Sequence, residues 1–246
     1  MVKQCLFAGF ILTLCCSSFA IAQAQSSETS EDDLLYRKFR VSLVPGLSTN
    51  GVDAPRYNAK YSLNILAGYH GALDGYEIGL VNINRYFSRG VQLGLLNATG
   101  GEMMGIQLSS FGNVSSGEQS GIQLTGMGNI SGKNMEGLQF AGFGNVAAEE
   151  MEGLQFAGLM NIANEMQGLQ FAGIGNLSGD NLSGLQFAGI FNMAAEDMEG
   201  LQFAGITNIS GGSSEGIIFS GITNITREFE GIGGAGIANI TESMQG

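Results

Sequence analysis

Asparagine returns on a fixed beat through most of this chain, and no other feature restricts the fold as tightly. Asn82, Asn97, Asn113, Asn129, Asn145, Asn161, Asn176, Asn192, Asn208, Asn224 and Asn239 stand 15 or 16 residues apart. Each closes a version of one phrase: GLQFAGFGN from Gly137, GLQFAGLMN from Gly153, GLQFAGIGN from Gly168, GLQFAGIFN from Gly184 and GLQFAGITN from Gly200. Looser versions begin at Gly90, Gly105, Gly121, Gly216 and Gly231. Such a period is shorter than the familiar helical repeats and matches a small multiple of a β strand. One unit is too small to bury a core by itself, so neighbouring units must stack and share one.

Within a unit, Leu or Ile follows the first glycine, then Gln, then Phe or Leu. A second glycine, a further apolar residue and the Asn complete the phrase. The alternation around Gln is strand-like. A helix is refused, because two or three glycines per unit cost about 1 kcal/mol each relative to alanine. Taking the glycine as a change of parity, the reading places Phe140, Phe156, Phe171, Phe187 and Phe203 in one internal column. It places Asn113, Asn129, Asn145, Asn161, Asn176, Asn192 and Asn208 in a second, bonded to backbone and to one another. Gln107, Gln123, Gln139, Gln155, Gln170, Gln186 and Gln202 then form an outer column available for contact. Met135, Met151, Met166, Leu182, Met198, Phe229 and Met244, each two residues before a unit, read as an inward ladder. Glu149, Glu150, Glu165, Asp180, Glu196 and Asp197 fall in solvated turns.

The expected fold is all-β: a solenoid-like stack of 15–16-residue units from 75 to 246, preceded by an N-terminal β cap at 36–74. The alternative is an outer-membrane-type β-barrel, since half a unit approaches the ~9 to 11 residues of a spanning strand. Against the barrel, the repeats from Gly90 onward contain neither tyrosine nor tryptophan for an aromatic girdle. The repeat pattern runs to the last residue given, and a bare strand edge there would be a template for self-association.

The first 24 residues read as a secretory signal. Lys3 precedes an apolar run from Phe7 to Ile21, and Ala22-Gln23-Ala24 offers a cleavage site. A polar, disordered leader is expected at 25–35. All three cysteines, Cys5, Cys15 and Cys16, fall in the signal, so the exported part relies on burial and hydrogen bonds rather than disulfides. With 22 acidic and 10 basic residues, a net charge of -12 gives nucleic acid and anionic membrane surfaces nothing to hold. The expected location is the cell surface, the outer membrane or the periplasm, with membrane contact only on the barrel alternative.

No catalytic residue, metal or cofactor is expected. His70, the only histidine, reads as a turn residue without visible carboxylate company. Carboxylates recur at turns rather than in a cleft, and the calcium-binding nonapeptide is absent. The glycines are followed by no helix, as phosphate-binding loops require.

The tandem phrase, preceded in order by Leu43-Val44-Pro45-Gly46-Leu47-Ser48-Thr49-Asn50-Gly51 and Ser62-Leu63-Asn64-Ile65-Leu66-Ala67-Gly68, resembles the bacterial surface-repeat-containing proteins of spirochaetes and Bacteroidetes. The resemblance spans about residues 39 to 246. It implies an exported envelope or surface protein with a structural or interaction role toward an unknown envelope protein or glycan, and carries over no site residue. Two departures stand out: the unit from Gly231 lacks both Gln and Phe, and those at Gly75 and Gly90 are one residue short.

Overall fold

The computed structural model describes residues 31–245. The signal segment, and the leader as far as residue 30, lie outside the described residues. From Leu35 onward the chain winds as a β-solenoid whose strands join into one sixteen-stranded sheet. Successive units pair in parallel and in register. Gly137, Leu138, Gln139 and Phe140 lie beside Gly153, Leu154, Gln155 and Phe156, and Asn145 lies beside Asn161. A membrane barrel of the bacterial kind needs antiparallel neighbours; parallel stacking replaces that alternative.

The one-residue variation in period is absorbed where it costs least. Ala147 pairs with Ala163 while Glu150 pairs with Glu165, so the extra residue sits at the exposed Ala148–Glu149 bend. The phrase's first glycine is required by the stacking itself. Gly153 has φ 131°, and a Cβ there would lie 2.1 Å from the carbonyl oxygen of Gly137 in the previous coil. The second glycine, as at Gly158, meets the carbonyl of Gly142 at the same 2.1 Å.

Stacking begins inside the 36–74 segment. Strand Leu35–Val44 pairs in parallel with the start of Tyr57–Thr99, and a short antiparallel turn onto Leu47–Ser48 and a 3-10 segment Gly51–Arg56 join them.

Two sequence assignments are reversed. The glutamine column is internal: Gln107, Gln123, Gln139, Gln155, Gln170, Gln186 and Gln202 are all 0% exposed. The phenylalanine column is external: Phe140, Phe156, Phe171, Phe187 and Phe203 are half-buried on the outer surface, and Phe219 is 41% exposed. The cause is simple strand alternation. Met135 and Gln139 share one side while Leu138 and Phe140 share the other, so the strand alternates without a break through Gly137. Met103, Met135, Met151, Met166, Leu182 and Met198 are buried, as are the repeat asparagines of the column from Asn82 to Asn208, whereas Met244 is 56% exposed. The core is therefore part thioether and part amide, and much of the apolar surface faces outward.

Candidate functional site

A buried amide is tolerated only if its donors and acceptors are met. In-register stacking meets them by translation. Asn145 Nδ2 donates to Asn161 Oδ1 at 2.8 Å, to the carbonyl of Phe156 at 2.8 Å and to that of Gln139 at 3.3 Å. The same link runs from Asn64 to Asn239 without a gap, each Nδ2 donating to the next Asn Oδ1 toward the C-terminus. Contacts to backbone carbonyls set that direction, since only the nitrogen can donate to them.

The glutamines run the other way. Gln155 Nε2 donates back to Gln139 Oε1 at 2.8 Å, and the chain continues from Gln202 to Gln92. Two antiparallel rows of aligned amide dipoles thus fill the interior. Like the peptides of a helix, each row carries a partial charge at its ends.

The N-terminal ends meet real charges. Gln92 Nε2 donates to Glu77 Oε2 at 2.9 Å, and Glu77 occupies the Gln position of the unit that begins at Gly75. Its carboxylate also accepts from Ser62 Oγ at 3.1 Å, Asn64 Nδ2 at 2.6 Å and Asn84 Nδ2 at 3.2 Å. The oxygen end of the asparagine row, Asn64 Oδ1, accepts from Arg40 at 2.8 Å. The same guanidinium donates to Ser62 Oγ at 3.0 Å and to the carbonyl of Tyr69 at 3.1 Å. Burial pulls Arg40 below its ordinary range and Glu77 opposes that shift. The cation therefore closes the negative end of one row and the anion the positive end of the other.

His70 is not a turn residue. It is fully buried in the strand Tyr57–Thr99, with Nδ1 3.5 Å from Glu77 Oε1. Burial lowers its pKa to about 4, against an upward pull from Glu77, so at neutral pH the ring is uncharged and the contact is not an ion pair. Arg40, His70 and Glu77 are sealed from solvent. Arg40 and Glu77 cap the two ladders, and His70, whose ring nitrogens have no hydrogen-bond partner, packs beside the carboxylate. Nothing in the local sequence brings these three residues together, and the one signal is a carboxylate, Glu77, standing where every following unit from Gly90 to Gly200 has glutamine.

At the other end the glutamine row stops at Gln202. Ile218 pairs beside it, and Gln202 Oε1 is left without a partner. The turn carboxylates Glu149, Glu196 and Asp197 are exposed. Among the described residues no group of three or more His, Cys, Asp or Glu is gathered closely enough to hold a metal ion.

On the outside, Phe140, Phe156, Phe171 and Phe187 stack at 4.8 Å between ring centroids with planes 1 to 4° apart. The column continues through Phe203 and Phe219 at 5.2 and 5.7 Å. Beside it lies an open groove of ≈ 950 Å³ floored by Ala141, Ala157, Ala172, Ala188 and Ala204, all of whose lining side chains are uncharged. Comparison of the chain with protein-family models, curated proteins and solved structures returns no match.

Proposed function

We propose that this is a non-catalytic scaffold of the bacterial envelope, exported by its first 24 residues, whose outer surface binds other macromolecules. The observation that carries the reading is the inversion of the coil. Amides and methionines saturate the inside, while Leu, Phe and Ile columns line the outside. Contiguous exposed apolar surface of this extent marks an interaction face. The resemblance to bacterial surface-repeat proteins supports the envelope as the place where that face is used. The partner is an envelope protein or the apolar face of a glycan, because the acidic charge opposes nucleic acid and anionic lipid.

The test is made in cells that naturally produce the protein. Fractionation with an antibody to an exposed turn, combined with protease treatment of intact cells, is expected to find the mature chain in the envelope. Recovery of the uncleaved chain in the cytosol would falsify the export reading. Purified protein is also expected to bind isolated envelopes, and failure to bind them would remove the interaction role.

A further inference from the structure

We propose that the phenylalanine groove is the docking face for a second copy of this chain. The inference rests on the scaffold reading above and assigns one of its faces. The groove runs past eight coils, from Leu108 to Phe219. Immediately beyond its Ala/Gly floor stands a ridge: Phe143, Leu159, Ile190, Ile206 and Ile222 are 38 to 56% exposed, and Ile174 in the coil between Leu159 and Ile190 is half-buried. A groove and an adjacent ridge on the same molecule are self-complementary. A two-fold axis brings the ridge of each copy into the groove of the other, as an isologous interface requires.

The repeat distance selects the occupant. The aromatic column advances 4.8 Å per coil. A helix laid along the groove presents side chains about 6 Å apart, and an extended strand about 6.7 Å. Either falls out of step within a few coils. A second solenoid of the same sequence keeps one side chain against each coil along the whole length, the same matching that makes stacked sheets interdigitate. Eight coils at about 4.8 Å, and a face of five residue steps from the Leu column to the ridge at about 3.3 Å each, correspond to about 600 Å² on each copy, or about 1,200 Å² together. That area reaches the range of specific interfaces.

Charge points the same way. A chain of net charge -12 repels its own copy over most of its surface, and an uncharged groove is where two copies can approach. The column Glu136, Glu152, Glu199 and Glu215 lies on the far side of the Leu column and remains at the rim.

Sedimentation velocity of the purified full chain over about 1 to 100 μM is the test. Wild type is expected to pass from monomer to dimer in that range. The triple variant Phe156→Ser, Phe171→Ser, Phe187→Ser and the ridge variant Ile190→Ser, Ile206→Ser should each raise the dissociation constant about tenfold or more. The pair Val146→Ser, Ile162→Ser, on the other outward face, should leave it unchanged. Circular dichroism confirms that each variant remains β-rich, and these side chains are partly exposed in the monomer, so their loss spares the core. A monomer at every concentration overturns the proposal, as does a dimer indifferent to the groove and ridge changes. Dissociation of the dimer onto uncharged phosphatidylcholine vesicles overturns it in favour of a lipid surface. A monomer that still binds isolated envelopes removes the self-pairing and leaves the scaffold reading intact.

Discussion

The first coils and the middle coils follow one backbone pattern and differ in what terminates their hydrogen bonds. Between Gly137 and Asn192 each amide of the two rows has an identical neighbour on both sides, so each row is bonded by repetition and the interior stays neutral. Between Arg40 and Gln92 the rows begin, no preceding amide exists, and a guanidinium and a carboxylate take its place, with an uncharged imidazole packed beside the carboxylate. The outer aromatics shift as well. Phe39, Tyr61 and Tyr76 stack at 5.0 and 6.1 Å over the early coils, in line with the later Leu column rather than with the Phe column. A periodic interior needs a non-periodic end, and formal charge is an effective one because both rows arrive there with opposite polarity.

Removing a charge at the end should therefore cost more than removing an amide in the middle. Glu77→Ala leaves Arg40 buried without its counter-ion and orphans the donors of Asn84 and Gln92. The expected loss is about 3 to 5 kcal/mol in urea unfolding, compared with wild type. A loss below 1 kcal/mol would show that the pair does not cap the rows.

Acid should weaken the first coils specifically. His70 has a pKa of about 4 when folded and 6.5 as its ordinary value. Below pH 6.5 the unfolded chain takes up the proton that the folded chain refuses, so stability falls as pH is lowered and levels off once the folded ring also protonates near 4. At about 1.4 kcal/mol per pH unit this amounts to about 3 kcal/mol across the window. The difference between wild type and His70→Gln, followed from pH 7 to 4, isolates the effect from the carboxylates common to both. Parallel curves for the two proteins would contradict it.

In the middle, Asn161→Ala removes an Nδ2 that donates to Asn176 Oδ1 and to the carbonyls of Gln155 and Phe171, and leaves Asn145 Nδ2 without its Asn acceptor. A loss of about 2 kcal/mol is expected from the orphaned groups. Amide hydrogen exchange should localise the opening to the adjoining coils; uniform acceleration along the whole solenoid would argue for one indivisible unit.

The smallest effect belongs to the outer column. Phe171→Ser leaves every ladder bond in place and should cost about 1 kcal/mol or less in the monomer, measured as the shift in unfolding midpoint. A larger loss would mean that the Phe stack, and not the amide rows, holds the coils together.

Much of this architecture is written in the order of residues. The recurrence of Asn and of the paired glycines dictates parallel, in-register stacking, because identical side chains can satisfy one another only at the spacing of neighbouring strands, and only glycine accepts a carbonyl at 2.1 Å from its missing Cβ. The asparagine column, the buried methionines and the solvated turns follow from the same period. What the tertiary structure alone decided is which side of each strand is the inside. Gln and Phe stand next to each other on opposite faces, and hydrophobicity favours Phe within. Closure of the coil instead places Gln with Met and Asn, where stacking converts a costly buried amide into a hydrogen-bonded one. The meeting of Arg40, His70 and Glu77 was likewise settled in three dimensions. Those residues lie far apart relative to any local motif, and their charges make sense only once two rows of dipoles end at the same place.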